Sequence, residues 1–231
     1  MVRMSLAALR LGAGKLAPGR AAAHNLAMKS ETAQKPGRAR LPPHIRRGEI
    51  LDAAEALVQG HGGLPLPLEA LAKAAQVSKA LIYAYFPNQH DLANALLARR
   101  FEAMLSAGLM AAAERDEPAD AAQACAALYF DEVAQAGPVV HIILREPFMA
   151  GRIDPAVRAI RDRIARRLAR AARRGLRLSP KESVAALSLM TTIPEEAGRM
   201  AHGGELTLDR GRELTARLIG SSLQALAPDA A

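Results

Sequence analysis

Residues 69–92 read EALAKAAQVSKALIYAYFPNQHDL, and this stretch decides the fold. Leu71, Ala72 and Ala75, with Leu68 just upstream, form the apolar stripe of a short helix. Pro67 can open that helix, because the first helical turn does not need the missing N–H. Gln76-Val77 makes a turn. Ser78 is an N-cap residue for a second short helix, Lys79 to about Tyr85, which Pro87 stops. Asn88 caps the following helix, with Asp91 three residues on, near the positive end of its dipole. Two short helices joined by a tight turn, the second with a polar amino end, predict a helix-turn-helix from Pro67 to Phe86. Such a motif offers the first residues of its second helix to a major groove while the first helix braces it. Small Ala72 and Ala75 allow the helices to approach, and Val77 and Ile82 fill the angle between them.

Upstream, helical periodicity begins at about His44. Ile50, Leu51, Ala54, Leu57 and Val58 share one face, and Arg46, Arg47, Glu49, Asp52 and Glu55 the other. Gly60-His61-Gly62-Gly63 ends this helix. Further upstream, residues 1–43 mix Arg and Lys with Ala, Gly and Pro and have no acid before Glu31, a composition that does not bury a core and predicts a disordered basic arm. Such a start resembles an organelle transit peptide, but the favoured reading is a start codon placed too early in a GC-rich bacterial gene, with Met28 as an alternative first residue.

The charge divides at the same place. The chain of 231 residues has 31 Lys+Arg and 23 Asp+Glu, a formal +8, yet residues 1–47 hold +9 and residues 48–231 hold −1. A uniformly basic protein that coats nucleic acid is therefore disfavoured. One cysteine, Cys125, rules out a disulfide framework and any zinc site built on a Cys cluster, and it fits a reducing compartment. No stretch reaches the length and apolarity of a membrane-spanning helix. Only seven aromatic residues occur, and Tyr83, Tyr85 and Phe86 are three of them. A protein that stacks single-stranded bases spreads its aromatics along a groove, so that mode is disfavoured. Strand-forming runs are rare, and the fold class is all-α.

The residues quoted above resemble the DNA-binding signature of the tetracycline-repressor (TetR) family of bacterial transcriptional regulators. The matching positions are Leu71-Ala72, Ala75, Val77-Ser78-Lys79, Ile82-Tyr83, Tyr85-Phe86-Pro87 and Asp91-Leu92. The resemblance covers residues 44–92 with the preceding helix, and the remaining length suits the family's second domain. It implies a three-helix helix-turn-helix head at 44–92 and a helical ligand-binding and dimerisation body at 93–231. It places Lys79, Ala80, Leu81 and Tyr83 at the DNA-facing end of the recognition helix and Tyr85 near a phosphate, where a hydroxyl fixes register without reading sequence. With Ser78 at the start of that helix and Arg46 and Arg47 in a basic arm with Arg38 and Arg40, these form the expected DNA-facing set. Such an arm can enter a minor groove or remain a solvated tail. Packing inside the head is the alternative role for the aromatics: it is favoured for Phe86, stands level for Tyr83, and yields to DNA for Tyr85. Lys79 opposes the helix dipole, which points to a functional reason for it. Three positions depart from the family pattern: Pro67 and Leu81 stand where Thr is common, and Gln76 where the turn usually has Gly, at a cost if the backbone there is left-handed.

In the rest of the chain, periodicity predicts helices over 88–115, 119–135, 139–144, 154–174, 183–200 with an interruption at Pro194, and 206–226. Nine arginines from Arg158 to Arg177 lie on the outer face of one helix. A solvated face is favoured there over contact with RNA or anionic lipid. Candidate cavity residues are Phe101, Met104, Cys125, Tyr129, His141, Arg145, Phe148, Met149 and Met190, a set that favours an apolar small molecule, and most of these also suit plain core. Arg145 can pair with neighbouring Glu146. The family resemblance implies that the helix from Asn88 links head to body and that the last two helices pair with their twofold mates.

An enzyme reading fails for want of a constellation: there is no nucleophile elbow, no Gly-rich phosphate loop and no pair of His at metal spacing. No cofactor or metal is expected. The expected protein is a homodimeric, cytoplasmic bacterial regulator, a repressor released from a palindromic double-stranded operator by a small molecule. The alternative is a helical dimeric interaction protein with little DNA sequence specificity.

Overall fold

The computed structural model describes residues 41–176 and 178–227, with the side chain of Arg174 excepted. The basic arm at 1–40, including Arg38, Arg40 and the alternative start at Met28, lies outside the described residues, as does Arg177. The described residues make one compact unit.

Among the described residues the regular structure is helical throughout: α1 (Pro43–His61), α2 (Leu68–Ala74), α3 (Lys79–Tyr85), α4 (Gln89–Ser106), α5 (Leu109–Ala113), α6 (Pro118–Ala136), α7 (Val139–Arg145), α8 (Pro155–Gly175), α9 (Pro180–His202) and α10 (Leu208–Leu226), with a 3-10 turn at Pro147–Met149. Local chemistry sets these bounds. Pro43 starts α1 because its fixed φ suits the first turn. Gly62 ends α1 with a left-handed φ of 69° and donates its N–H to Val58 O. Ser78 Oγ accepts from the Leu81 N–H, and the Asn88 side chain accepts from the Asp91 N–H. A full capping box of Ser179 and Glu182 opens α9.

Two expected boundaries move. The helix foreseen over 88–115 breaks after Ser106, because Gly108 takes φ 101°, a conformation that a Cβ would strain, and α5 restarts from it. The interruption foreseen at Pro194 does not occur: α9 runs through it, with Pro194 buried. Packing of α9 along α6 holds the helix across the missing hydrogen bond, and the approach is close. A Cβ on Gly198 would stand 2.7 Å from Val133 Cβ and 3.0 Å from Phe130 O, and one on Gly211 of α10 would stand 2.6 Å from the Phe130 ring. Phe130 is fully buried where α6, α9 and α10 meet.

The main core runs without a break from Ile50 and Val58 of α1, through Leu71 and Ile82, along Leu92, Leu96 and Phe101 of α4, to Val139, Ile143 and Val157. A second cluster is small: Ala126, Ile219 and Leu223, with Met190 and Ile193 against it.

Candidate nucleic-acid interface and effector cavity

In the head, Leu71, Ala75 and Ile82 are buried, and Ala72 and Val77 pack against them, so helices α2 and α3 are held by the residues whose spacing predicted the motif. Between them Gln76 takes φ 54°, the left-handed state for which glycine is suited, and the Val77 N–H donates to Ala72 O at 2.9 Å.

The expected DNA-facing set divides by environment. Ser78, Lys79 and Ala80 are exposed, Leu81 is half-buried, and Tyr83 stands 47% exposed. The Tyr83 ring is thus only partly covered by the head. Tyr85 packs partly against the core, and Phe86 is buried. Lys79 is ion-paired with Glu69 of α2, and that hydrogen bond holds the Glu69 carboxyl below its ordinary value. The pair adds a structural reason, beside the functional one expected, for a lysine at an unfavourable helix start. Arg46 and Arg47 belong to α1 rather than to an arm preceding it, because Pro43 starts the helix before them. Arg46 Nη1 lies 2.5 Å from Glu49 Oε2, and the Arg47 guanidinium lies 5.2 Å from the centre of the Phe86 ring, a cation–π contact.

An ionic cluster that sequence reading missed ties α1 to α4 and α6. Arg99 Nη1 is 2.6 Å from Asp52 Oδ1 and Nη2 is 2.5 Å from Glu55 Oε2; Arg100 Nε is 3.0 Å from Glu55 Oε1 and Nη1 is 3.4 Å from Glu132 Oε1. Glu55, read from periodicity as solvent-facing, is mostly covered here because α4 crosses that face of α1. Among these groups Arg99 Nη2, Arg100 Nε, Glu55 Oε1 and Glu132 Oε1 lack an aligned hydrogen bond, so the attraction is chiefly Coulombic. Burial pushes the Glu132 carboxyl above its ordinary value; Glu55 adds to this and Arg100 opposes it. Alongside, His202 at the end of α9 reaches Gln59 Oε1 of α1 at 2.9 Å and Ala134 O of α6 at 3.2 Å.

The body contains a cavity of about 440 Å³ lined mainly by aliphatic side chains from α4, α6, α7, α8, α9 and α10. Of the residues expected to line it, Phe101, Met104, Cys125, Tyr129, His141, Arg145 and Met190 do so. Phe148 and Met149 do not. The 3-10 turn carries Phe148 away to stack on His90, with ring centres 4.2 Å apart, while Met149 is buried in the main core. Burial pushes the Cys125 thiol up to about 11, which makes it an inert lining group rather than a nucleophile. Arg145 Nη1 faces His141 Nε2 at 3.3 Å, the contact found in place of a pair with Glu146. Glu195, not foreseen from sequence, stands in the same wall with Tyr129 and His141. Burial and the Glu195 charge together push the Tyr129 hydroxyl well above the ordinary phenol value.

Residues 50–96, from α1 into α4, match bacterial regulatory proteins of the tetR family. That match covers the helix pair α2–α3 and its flanking helices, and it is the part of the chain whose sequence is similar to the family. No curated protein sequence matches the chain. The fold as a whole is similar to solved TetR-type structures. A TetR-like transcriptional regulator from Rhodococcus sp. RHA1 superposes with a TM-score of 0.60 at 21% identity, covering 80% of this chain and 97% of that one. The TetR family transcriptional regulator PfmR from Thermus thermophilus gives 0.56 at 19%, covering 76% and 97%. The TetR-like regulator LfrR from Mycobacterium smegmatis, solved in complex with proflavine, gives 0.52 at 21%, covering 80% and 99%. At these identities the likeness speaks for the TetR fold. Among the described residues no His, Cys, Asp and Glu cluster could hold a metal ion, and no helix is long and apolar enough to cross a membrane.

Proposed function

We propose that the protein is a homodimeric, ligand-responsive transcriptional regulator of the bacterial cytoplasm. It binds a palindromic double-stranded operator through the first turn of α3 and acts as a repressor that a small molecule in the body cavity releases. The head is residues 44–92 and the body residues 93–231, with α4 belonging to both. One observation carries this reading. Helix α4 lines the cavity with Phe101 and Met104, and the same helix grips α1 through Arg99 and Arg100. A ligand that displaces the carboxy-terminal half of α4 therefore acts on a helix fastened to the head, and its differential affinity for the two head positions sets how far DNA binding shifts.

DNA contact falls to exposed Ser78, Lys79, Ala80 and Tyr83, with half-buried Leu81 positioned for a thymine methyl and Tyr85 for a phosphate. Lys79 would exchange Glu69 for a phosphate. Dimerisation uses α9 and α10, where Val184, Leu189 and Leu218 remain exposed in the single chain; a twofold pair of heads then meets two half-sites.

The test is selection of source-genome fragments bound by the full chain at physiological salt, followed by sequencing. A palindromic motif, lost in Lys79→Ala while the dimer persists, is the expected result. Recovery without any palindrome overturns the regulator reading in favour of a dimeric interaction protein, which the departures at Pro67 and Leu81 and the internal Lys79–Glu69 pair would then explain.

A further inference from the structure

The effector cavity is lined mainly by apolar side chains, and Glu195, Tyr129 and His141 come together on one wall. There the Glu195 carboxylate lies between α6 and α7: the Tyr129 hydroxyl donates to Oε2 at 3.3 Å, and His141 Nδ1 stands 2.5 Å from Oε1. The contacts place the imidazole proton. Arg145 Nη1 is 3.3 Å from His141 Nε2, and a guanidinium has only donors, so Nε2 accepts and Nδ1 carries the hydrogen that Glu195 receives. Both direct donors to the carboxylate are then neutral. The guanidiniums that line the cavity are exposed to solvent; Arg145 contacts His141 rather than the carboxylate, and Arg161 pairs with Asp162 at 3.2 Å. A carboxylate accepts about four hydrogen bonds, so Glu195 retains acceptor capacity on the cavity wall.

A negative group held by neutral donors in an apolar wall attracts a cation more strongly than it would in water and disfavours an anion. The aromatic lining residues Phe101 and Tyr129 offer faces of the same electrostatic preference. We propose that the effector is an amphipathic organic cation, an apolar body bearing one quaternary or delocalised positive charge, and that Glu195 selects the charge. This rests on the reading of the cavity as the effector site, and it replaces the plain apolar ligand that the sequence favoured. The volume suits a drug-sized molecule.

Shape and charge separate cleanly with three probes of one propeller form: tetraphenylphosphonium, tetraphenylborate and neutral triphenylphosphine oxide. Calorimetry on the full-length dimer is expected to show the phosphonium binding at least about tenfold tighter than the borate, the size expected of a desolvated charge contact and a cation–π contact. Glu195→Gln should remove that preference while the dimer and DNA binding persist, and Ala165→Trp, which fills the cavity from α8, should weaken all three probes. A borate that binds as tightly as the phosphonium in the unmodified protein, or a phosphonium affinity unmoved by Glu195→Gln, overturns the charge inference and leaves the cavity reading standing. Failure of every probe to bind, or binding that Ala165→Trp leaves unchanged, removes the cavity as effector site and the inference with it. The phosphonium–borate comparison needs no variant, so a poorly folded Glu195→Gln does not blunt it.

Discussion

The two ends of the molecule solve the same problem differently. In the head, Leu71, Ile82 and Phe86 each find apolar partners within the chain, and even α4 contributes Leu92, Leu96 and Leu97 to their burial. At the far end, α10 buries only Ile219 and Leu223 as large apolar groups, while Leu218 is 51% exposed and Leu189 on α9 is 70% exposed. The head is a closed core; the α9–α10 end is half of one. That uncovered face is the one proposed above to meet a second copy, whereas the head is covered by its own chain.

The sharpest way to break this contrast is Leu189→Glu combined with Leu218→Glu. The dimer dissociation constant should rise by at least about a hundredfold, as loss of central interface anchors does, with helix content unchanged. Sedimentation equilibrium reads the result, and an intact dimer would mean that the exposed leucines are ordinary surface. The corresponding change in the head is Ile82→Ala. It should cost about 2–5 kcal/mol of stability through the cavity it leaves, abolish DNA binding and spare the dimer, as urea denaturation and gel shift would show.

A smaller effect sharpens the link between the two ends. Glu132 has its folded-state carboxyl raised above the ordinary 4.5, so the folded protein holds that proton more tightly than the unfolded chain. Its contribution to stability is fully present below that ordinary value and is lost as pH rises through the folded value. Glu132→Gln keeps the shape without the titration; thermal melts should therefore show the variant gaining on the unmodified protein as pH rises from about 4 towards neutral. A pH-independent difference would remove the burial penalty from Glu132. The smallest change is Gln76→Gly. Relief of a left-handed side-chain residue, less the greater freedom of the unfolded glycine, should raise stability by up to about 1 kcal/mol. A loss instead would mean that the Gln76 side chain contributes more than its backbone costs.

What could be read from the sequence was local. The spacing of Leu71, Ala75, Val77 and Ile82 announced the helix pair, Ser78 and Asn88 announced their caps, and the family pattern itself flagged Gln76 as a left-handed position without its glycine. What escaped was set by distance along the chain. Asp52 and Arg99 are 47 residues apart, and nothing near either one signals the other; Glu55, judged by its own helix, looked solvated until α4 covered it. Glu195 lay hidden for the same reason, its partners Tyr129 and His141 being on other helices. Phe148 and Met149 have the composition of cavity residues, but a three-residue turn at Pro147 re-aimed them. Gly108 and Pro194 show that breakers act by context: the first ended a helix in the middle of an apolar pattern, and the second did not end one because α6 held it.

The unbroken core along α4 has a further consequence for engineering. A graft that exchanged DNA-binding heads between regulators would naturally cut after Leu92, yet Leu92, Ala93, Leu96 and Leu97 are successive buried positions of one helix. A splice there would join two halves of a single packing surface from different proteins. Any transplant of this head must carry α4 as far as Arg100 and bring Glu132 with it, so that the exchangeable unit is larger than the DNA-binding domain alone.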